Sequence, residues 1–229
     1  MKKNRIATSI TLALISSSAF AGGFNFTPIA SSASEEMWSK EAPFKIPAGF
    51  SQYIVKDEST LDIYDNGRND WHDMNTTNET GKKAGRFMYT THELRLPASL
   101  PEGGTVTAHN MKTGETAILA QDPSFNALDG IKWTPWGTIL FAEETTGGRL
   151  FEIELNADMM SGTVYDRPAV GRMAHEGIDV DAEGNVYIVD EFRGEQEGFG
   201  GGIYKFVPET YGDLSTGDLY VLTTSETNG

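Results

Sequence analysis

A self-similarity at a fixed offset of 47 residues constrains this chain more than any other feature. Asp129-Gly130-Ile131-Lys132-Trp133 is echoed by Glu176-Gly177-Ile178-Asp179-Val180. Gly137-Thr138-Ile139-Leu140-Phe141-Ala142-Glu143-Glu144 is echoed by Gly184-Asn185-Val186-Tyr187-Ile188-Val189-Asp190-Glu191. A weaker third copy runs from Gly85 through Phe87, Tyr89 and His92 to Glu93. Each copy is a turn glycine, a mostly apolar run of strand length and an acidic end. Outer segments recur as well. Gly148 to Ile153 resembles Gly202 to Phe206, and the hairpin turn at Thr113-Gly114-Glu115 resembles Thr216-Gly217-Asp218.

Units of about 45–50 residues, each holding several short strands, are the signature of a β-propeller. Three units are visible, over about 85–120, 129–170 and 176–222. The expected fold is therefore all-β, a partial β-propeller of three blades. A ring needs at least about four blades, so the expectation is an incomplete ring in a piece of a longer protein. A generic β-sandwich with fortuitous repeats is the alternative.

Outside the repeats, residues 1–21 read as a secretory signal peptide. Lys2, Lys3 and Arg5 are followed by a short apolar run and by Ala19-Phe20-Ala21, a small-x-small cleavage site. Residues 22–43 read as an N-terminal arm, 44–229 as the partial propeller, Ile46 to Lys56 as a strand, and Asp57 to Lys83 as an excursion of loops. The leader implies a periplasmic or secreted protein, and no segment is long and apolar enough for membrane insertion. The formal charge of −15 disfavours nucleic acid as a partner and favours metal ions. There is no cysteine, so neither disulfides nor thiolate chemistry are available.

The acidic ends carry the functional reading. If their strands are the innermost of each blade, His92-Glu93, Glu143-Glu144 and Asp190-Glu191 meet at one mouth of the funnel. The loops that open the units add Asp129 and His175-Glu176. Converging carboxylates repel one another, so either some hold protons or cations sit among them. Oxygen donors suit Ca²⁺, and carboxylate with His suits iron or manganese. The alternative is a set of solvated carboxylates paired with Arg86, Arg149, Arg172 and Arg193. His72, between Asp70 and Asp73, is a weaker candidate. Asp179 to Asp190 approaches Ca²⁺-loop spacing but reads as a turn between strands. Arg172 and Lys205 are candidate anion clamps.

Leu128 to Thr138, Ala142-Glu143-Glu144, Gly171 to Gly177, Val189-Asp190-Glu191 and Ile203 to Val207 together resemble the PhoX-type alkaline phosphatase family. Thr91-His92-Glu93 is similar to an Asn-His-Glu element of that family. The resemblance implies a secreted six-bladed propeller that hydrolyses phosphoric monoesters with bound Ca²⁺ and Fe³⁺. It implies metal ligation by Glu93, Glu143, Glu144, Glu176, Asp190 and Glu191, and catalytic roles for Glu143, Glu176 and Arg172. Ala142 stands where many members carry an iron-ligating Cys, which tilts the cofactor expectation to Ca²⁺. Asp181 to Asp190 also resembles an NHL or gluconolactonase-type blade, which implies a Ca²⁺-binding lactonase or a binding module. The small-molecule partner is accordingly a phosphate ester or a lactone.

Overall fold

The computed structural model describes residues 27–31, 39–57, 71–95, 103–192 and 201–223. The signal peptide, Asp70 and Arg193 lie outside these residues. The chain divides into two compact units, Met1–Ile54 and Val55–Gly229. The described part of the first unit is irregular, and the strand expected from Ile46 is not formed. Pro47 and Gly49 make a turn there instead, with Phe50 N–H donating to the Pro47 carbonyl at 3.3 Å.

The second unit is all-β, built from twelve strands in three four-stranded antiparallel meanders. Blade 1 is β1 (His72–Thr77), β2 (Phe87–His92), β3 (Gly104–Asn110) and β4 (Glu115–Asp122). Blade 2 is β5 (Leu128–Trp133), β6 (Ile139–Glu143), β7 (Leu150–Leu155) and β8 (Gly162–Asp166). Blade 3 is β9 (His175–Val180), β10 (Val186–Asp190), β11 (Ile203–Thr210) and β12 (Asp213–Val221). The first strands, β1, β5 and β9, lie side by side.

This is the expected three-blade propeller arrangement, with two corrections. The acidic-ended strands β2, β6 and β10 are the second strands of their blades, not the innermost. Blade 1 also begins earlier than expected, because β1 forms within the segment read as loops. Polar His72-Asp73-Met74-Asn75 hides the strand in the sequence.

Two cores lie between successive blades. Phe87, Tyr89, Val106 and Ala108 of blade 1 pack on Ile131, Ile139, Phe141 and Ile153 of blade 2. Leu140, Ala142 and Leu150 of blade 2 pack on Ile178, Val186, Ile188 and Phe206 of blade 3. Period-2 alternation along β6 sends Ile139 and Phe141 to one core and Leu140 and Ala142 to the other. The middle blade is therefore buried on both faces and its strand reads as an unbroken apolar run. Burying a side chain of this kind contributes about 1.5–3 kcal/mol.

The turn joining the first two strands repeats too. Thr138 N–H donates to Thr134 Oγ1 at 2.9 Å in blade 2, and Asn185 N–H donates to Asp181 Oδ1 at 2.8 Å in blade 3. Gly137 and Gly184 follow with φ of 89° and 85°, which side chains rarely adopt. Asp181 is thus a turn residue, as its strand-like surroundings indicated. Gly217, expected in a hairpin turn, lies inside β12, where it faces Pro208 and the Phe206 ring. The turn before β12 is Tyr211-Gly212.

Candidate metal centre

The register of the first two strands builds the site three times over. His72 pairs with His92, Leu128 with Glu143, and His175 with Asp190. One step further, the Glu93, Glu144 and Glu191 amides donate to the carbonyls of Trp71, Ala127 and Ala174 at 2.8, 2.8 and 2.9 Å. Trp71 and Ala127 hold positive φ values of 45° and 50° to make this junction. Each first strand then carries an irregular register just beyond its paired residue, between His72 and Asn75, Leu128 and Ile131, and His175 and Ile178. A bulge of this kind re-aims a side chain. The residues at the bulges are Asp73, Asp129 and Glu176.

Six acidic residues therefore occupy two repeating positions: Asp73, Asp129 and Glu176 on the first strands, and Glu93, Glu144 and Glu191 after the second. One carboxylate oxygen from each of Asp129, Glu144 and Glu176 lies within 4.8 Å of the others. Two oxygens bound to one Ca²⁺ at about 2.4 Å each are at most about 4.8 Å apart. Asp129 is only 5% exposed, and its Oδ1 has no hydrogen-bond partner. A buried carboxylate oxygen left this way is costly unless a cation completes it. The donor set is all hard oxygen, which fits Ca²⁺ or Mg²⁺ better than iron.

Two contacts between blades lock this arrangement. Thr91 Oγ1 of β2 donates to the Asp129 carbonyl at 2.5 Å. Gly130 lies against the Glu176 carbonyl, and a methyl group there would overlap that oxygen. Gly177, its repeat partner, has an open neighbourhood, with only a Val189 methyl at 3.7 Å. Gly130→Ala is expected to cost about 1–3 kcal/mol by forcing β5 and β9 apart. Thermal denaturation should show a lowered Tm for Gly130→Ala and near wild-type behaviour for Gly177→Ala.

The electrostatics follow from crowding and burial. Burial first, and then Asp73, Glu176, Glu144 and Glu93, push the Asp129 carboxyl up to about 8. Burial, and then a hydrogen bond with Glu191, push Glu144 up to about 7, against the opposing pull of Arg95. Burial and Glu191 also raise Glu176. Unfolded carboxyls release these protons near 4, so the metal-free folded state holds more protons than the unfolded state between about pH 4 and 8. Stability of the metal-free protein should fall as pH rises through that window. Melting curves from pH 4 to 8 in chelator check the sign, and saturating Ca²⁺ should flatten or reverse the slope.

The remaining candidates lie elsewhere or are engaged. Glu143 sits one residue from Glu144 but points to the other side of the strand. It is 3% exposed and accepts from Arg149 Nε at 2.9 Å, Arg149 N at 3.0 Å and Asn126 N at 3.0 Å. Asp190 Oδ1 accepts from the amides of Ala174 at 3.1 Å and Phe192 at 3.2 Å, which makes it a brace for the strand end. Arg172 pairs with Asp166 at 2.8 Å after the outermost strand of blade 2, and Lys205 covers the Tyr187 ring at 5.3 Å. Neither clamps the acidic pocket. Arg86 donates to Asn110 rather than to an acid. His92 is buried with its Nε2 3.0 Å from Thr107 Oγ1. His175 is buried, and burial pulls its imidazole down to about 4, so it is neutral near pH 7.

Arg95 was not picked out from the sequence, and Asp73 entered only as a flank of the weaker candidate His72. His72-Asp73 does echo His175-Glu176. The echo is masked because twenty residues separate His72 from His92 while fifteen separate His175 from Asp190. Arg95 does have a counterpart in the repeat: it stands two residues after Glu93 as Arg193 stands two residues after Glu191, but blade 2 carries Thr146 at that place.

No family model matches the chain, and no curated protein matches it. Among solved structures it is similar to the X-ray structure of a candidate gluconolactonase. Identity is 17% and the TM-score 0.43, over 60% of this chain and 44% of that one. The chain thus spans less than half the length of that structure.

Proposed function

We propose that this chain binds a single Ca²⁺ through Asp129, Glu144 and Glu176 and uses the site to hydrolyse a small neutral ester, a lactone. The observation that carries the metal is the buried Asp129 Oδ1, unpartnered beside two further carboxylates. One such three-ligand group occurs among the described residues, which supports a single-ion site over a multinuclear cluster. The neutral substrate is favoured by charge. Asp73, Glu93 and Glu191 surround the three ligands, so one divalent ion leaves the pocket acidic. A phosphate dianion would meet net repulsion there.

When bound, Ca²⁺ supplies Lewis-acid polarisation of the ester carbonyl. Glu191 shares a proton with Glu144 only in the metal-free state; with Glu144 deprotonated on a metal, the Glu191 carboxylate is the neighbouring base that would accept a proton from the attacking water. Asp129 and Thr91 hold the pocket floor rigid across two blades.

The PhoX resemblance supports a second reading, Ca²⁺-dependent hydrolysis of a phosphate monoester. Lactone opening and phosphomonoester hydrolysis, each assayed with Ca²⁺ and with chelator, separate the two. Ca²⁺-dependent lactonase activity without phosphatase activity is expected. The reverse pattern supports the phosphatase, and Ca²⁺ binding with neither activity leaves a binding module. A periplasmic or secreted location belongs to the same proposal, since extracellular Ca²⁺ sites work at Kd values up to about 1 mM. Among the described residues no helix is long and apolar enough to cross a membrane.

A further inference from the structure

Arg95 is the basic side chain, among the described residues, that pairs with the acidic pocket. Its Nη2 contacts both Glu93 and Glu144, and its Nη1 donates to the Glu144 carbonyl at 3.2 Å. The pairing joins the second-strand acid of blade 1 to that of blade 2. The guanidinium is about half exposed, while the Glu144 side chain is 10% exposed. Arg95 therefore reaches in from the solvent side and occupies a carboxylate that the metal also needs. Metal ligation by Glu144 draws electron density from the same carboxylate that Arg95 holds through Oε2, so each partner weakens the other's hold.

We infer that Arg95 is a built-in counter-ion that competes with the metal for Glu144. This rests on the Ca²⁺ site proposed above. With no metal bound, Arg95 offsets part of the repulsion among Asp73, Glu93, Asp129, Glu144, Glu176 and Glu191. Binding of a divalent cation displaces the guanidinium from Glu144 and leaves it with Glu93 at the solvent side. The half-exposed position makes this release inexpensive, because water solvates the freed guanidinium. Arg95 thereby sets the metal affinity of the pocket without ligating the metal.

Isothermal titration with Ca²⁺ of the wild-type chain, Arg95→Gln and Arg95→Lys tests this, alongside melting temperatures in chelator. Arg95→Gln should bind Ca²⁺ about 10-fold more tightly, because its competitor is gone, and should melt at a lower temperature in chelator. Arg95→Lys should lie between Arg95→Gln and wild type in both. Unchanged or weaker Ca²⁺ binding in Arg95→Gln overturns the counter-ion role while leaving the Ca²⁺ site standing. Absence of Ca²⁺ binding in the wild type and in Arg95→Gln overturns both.

Discussion

Asp129→Asn is expected to weaken Ca²⁺ binding by roughly 100-fold and, at the same time, to raise the melting temperature of the metal-free protein near pH 8. The two effects have one cause. Asp129 is buried, one oxygen is unpartnered, and neighbouring carboxylates oppose its ionisation. In the metal-free state the group is a liability, made tolerable below about pH 8 by holding its proton. Asn keeps the shape and removes the charge, so the liability disappears and with it the strongest reason for a cation to enter. Isothermal titration and melting curves in chelator read the two halves. A variant that lost Ca²⁺ binding and also stability would mark Asp129 as a structural residue only.

The adjacent pair Glu143-Glu144 gives the second large effect, because two neighbours in one strand should fail in opposite ways. Glu143 is held by four donors, three from Arg149 and one from Asn126, and lies on the side away from the metal ligands. Glu143→Gln leaves the Arg149 guanidinium without its charge partner. Breaking such a pair costs about 3–5 kcal/mol when fully buried, and nearer 2 here because Arg149 is 27% exposed. At about 2–4 °C per kcal/mol, Tm should drop by several degrees with Ca²⁺ affinity preserved. Glu144→Gln should instead keep metal-free stability and lose about 10- to 100-fold in Ca²⁺ affinity. Equal effects of the two substitutions on metal binding would contradict the assignment.

The blades were legible because their strands obey two periods at once. The 47-residue offset fixes equivalence between units, and the alternation inside β6 and β10 fixes which face each residue takes. The depth of a strand within its blade was not legible. Apolar runs such as Ile139 to Ala142 mark burial between blades, and both first and second strands can satisfy that. Blade 1 was cut short because His72 to Thr77 is polar, its stability coming from pairing with β2 and from side-chain hydrogen bonds such as Thr90 to Asn75 at 2.6 Å.

The site was half legible for a related reason. Spacing located the acidic ends, but strand alternation separates Glu143 from Glu144 and Asp190 from Glu191. A one-residue difference decides whether an acid braces the backbone or faces the pocket. The bulges that aim Asp73, Asp129 and Glu176 have no sequence signature of their own beyond the glycines at Gly130 and Gly177.

The most direct measurement is an anomalous difference map from crystals of this chain grown with Mn²⁺, another cation suited to oxygen ligands. The account requires one peak bonded at about 2.0–2.6 Å to oxygens of Asp129, Glu144 and Glu176, with Arg95 withdrawn from Glu144. No peak at that position, with Asp129 Oδ1 instead satisfied by a protein donor or a water molecule, would contradict it.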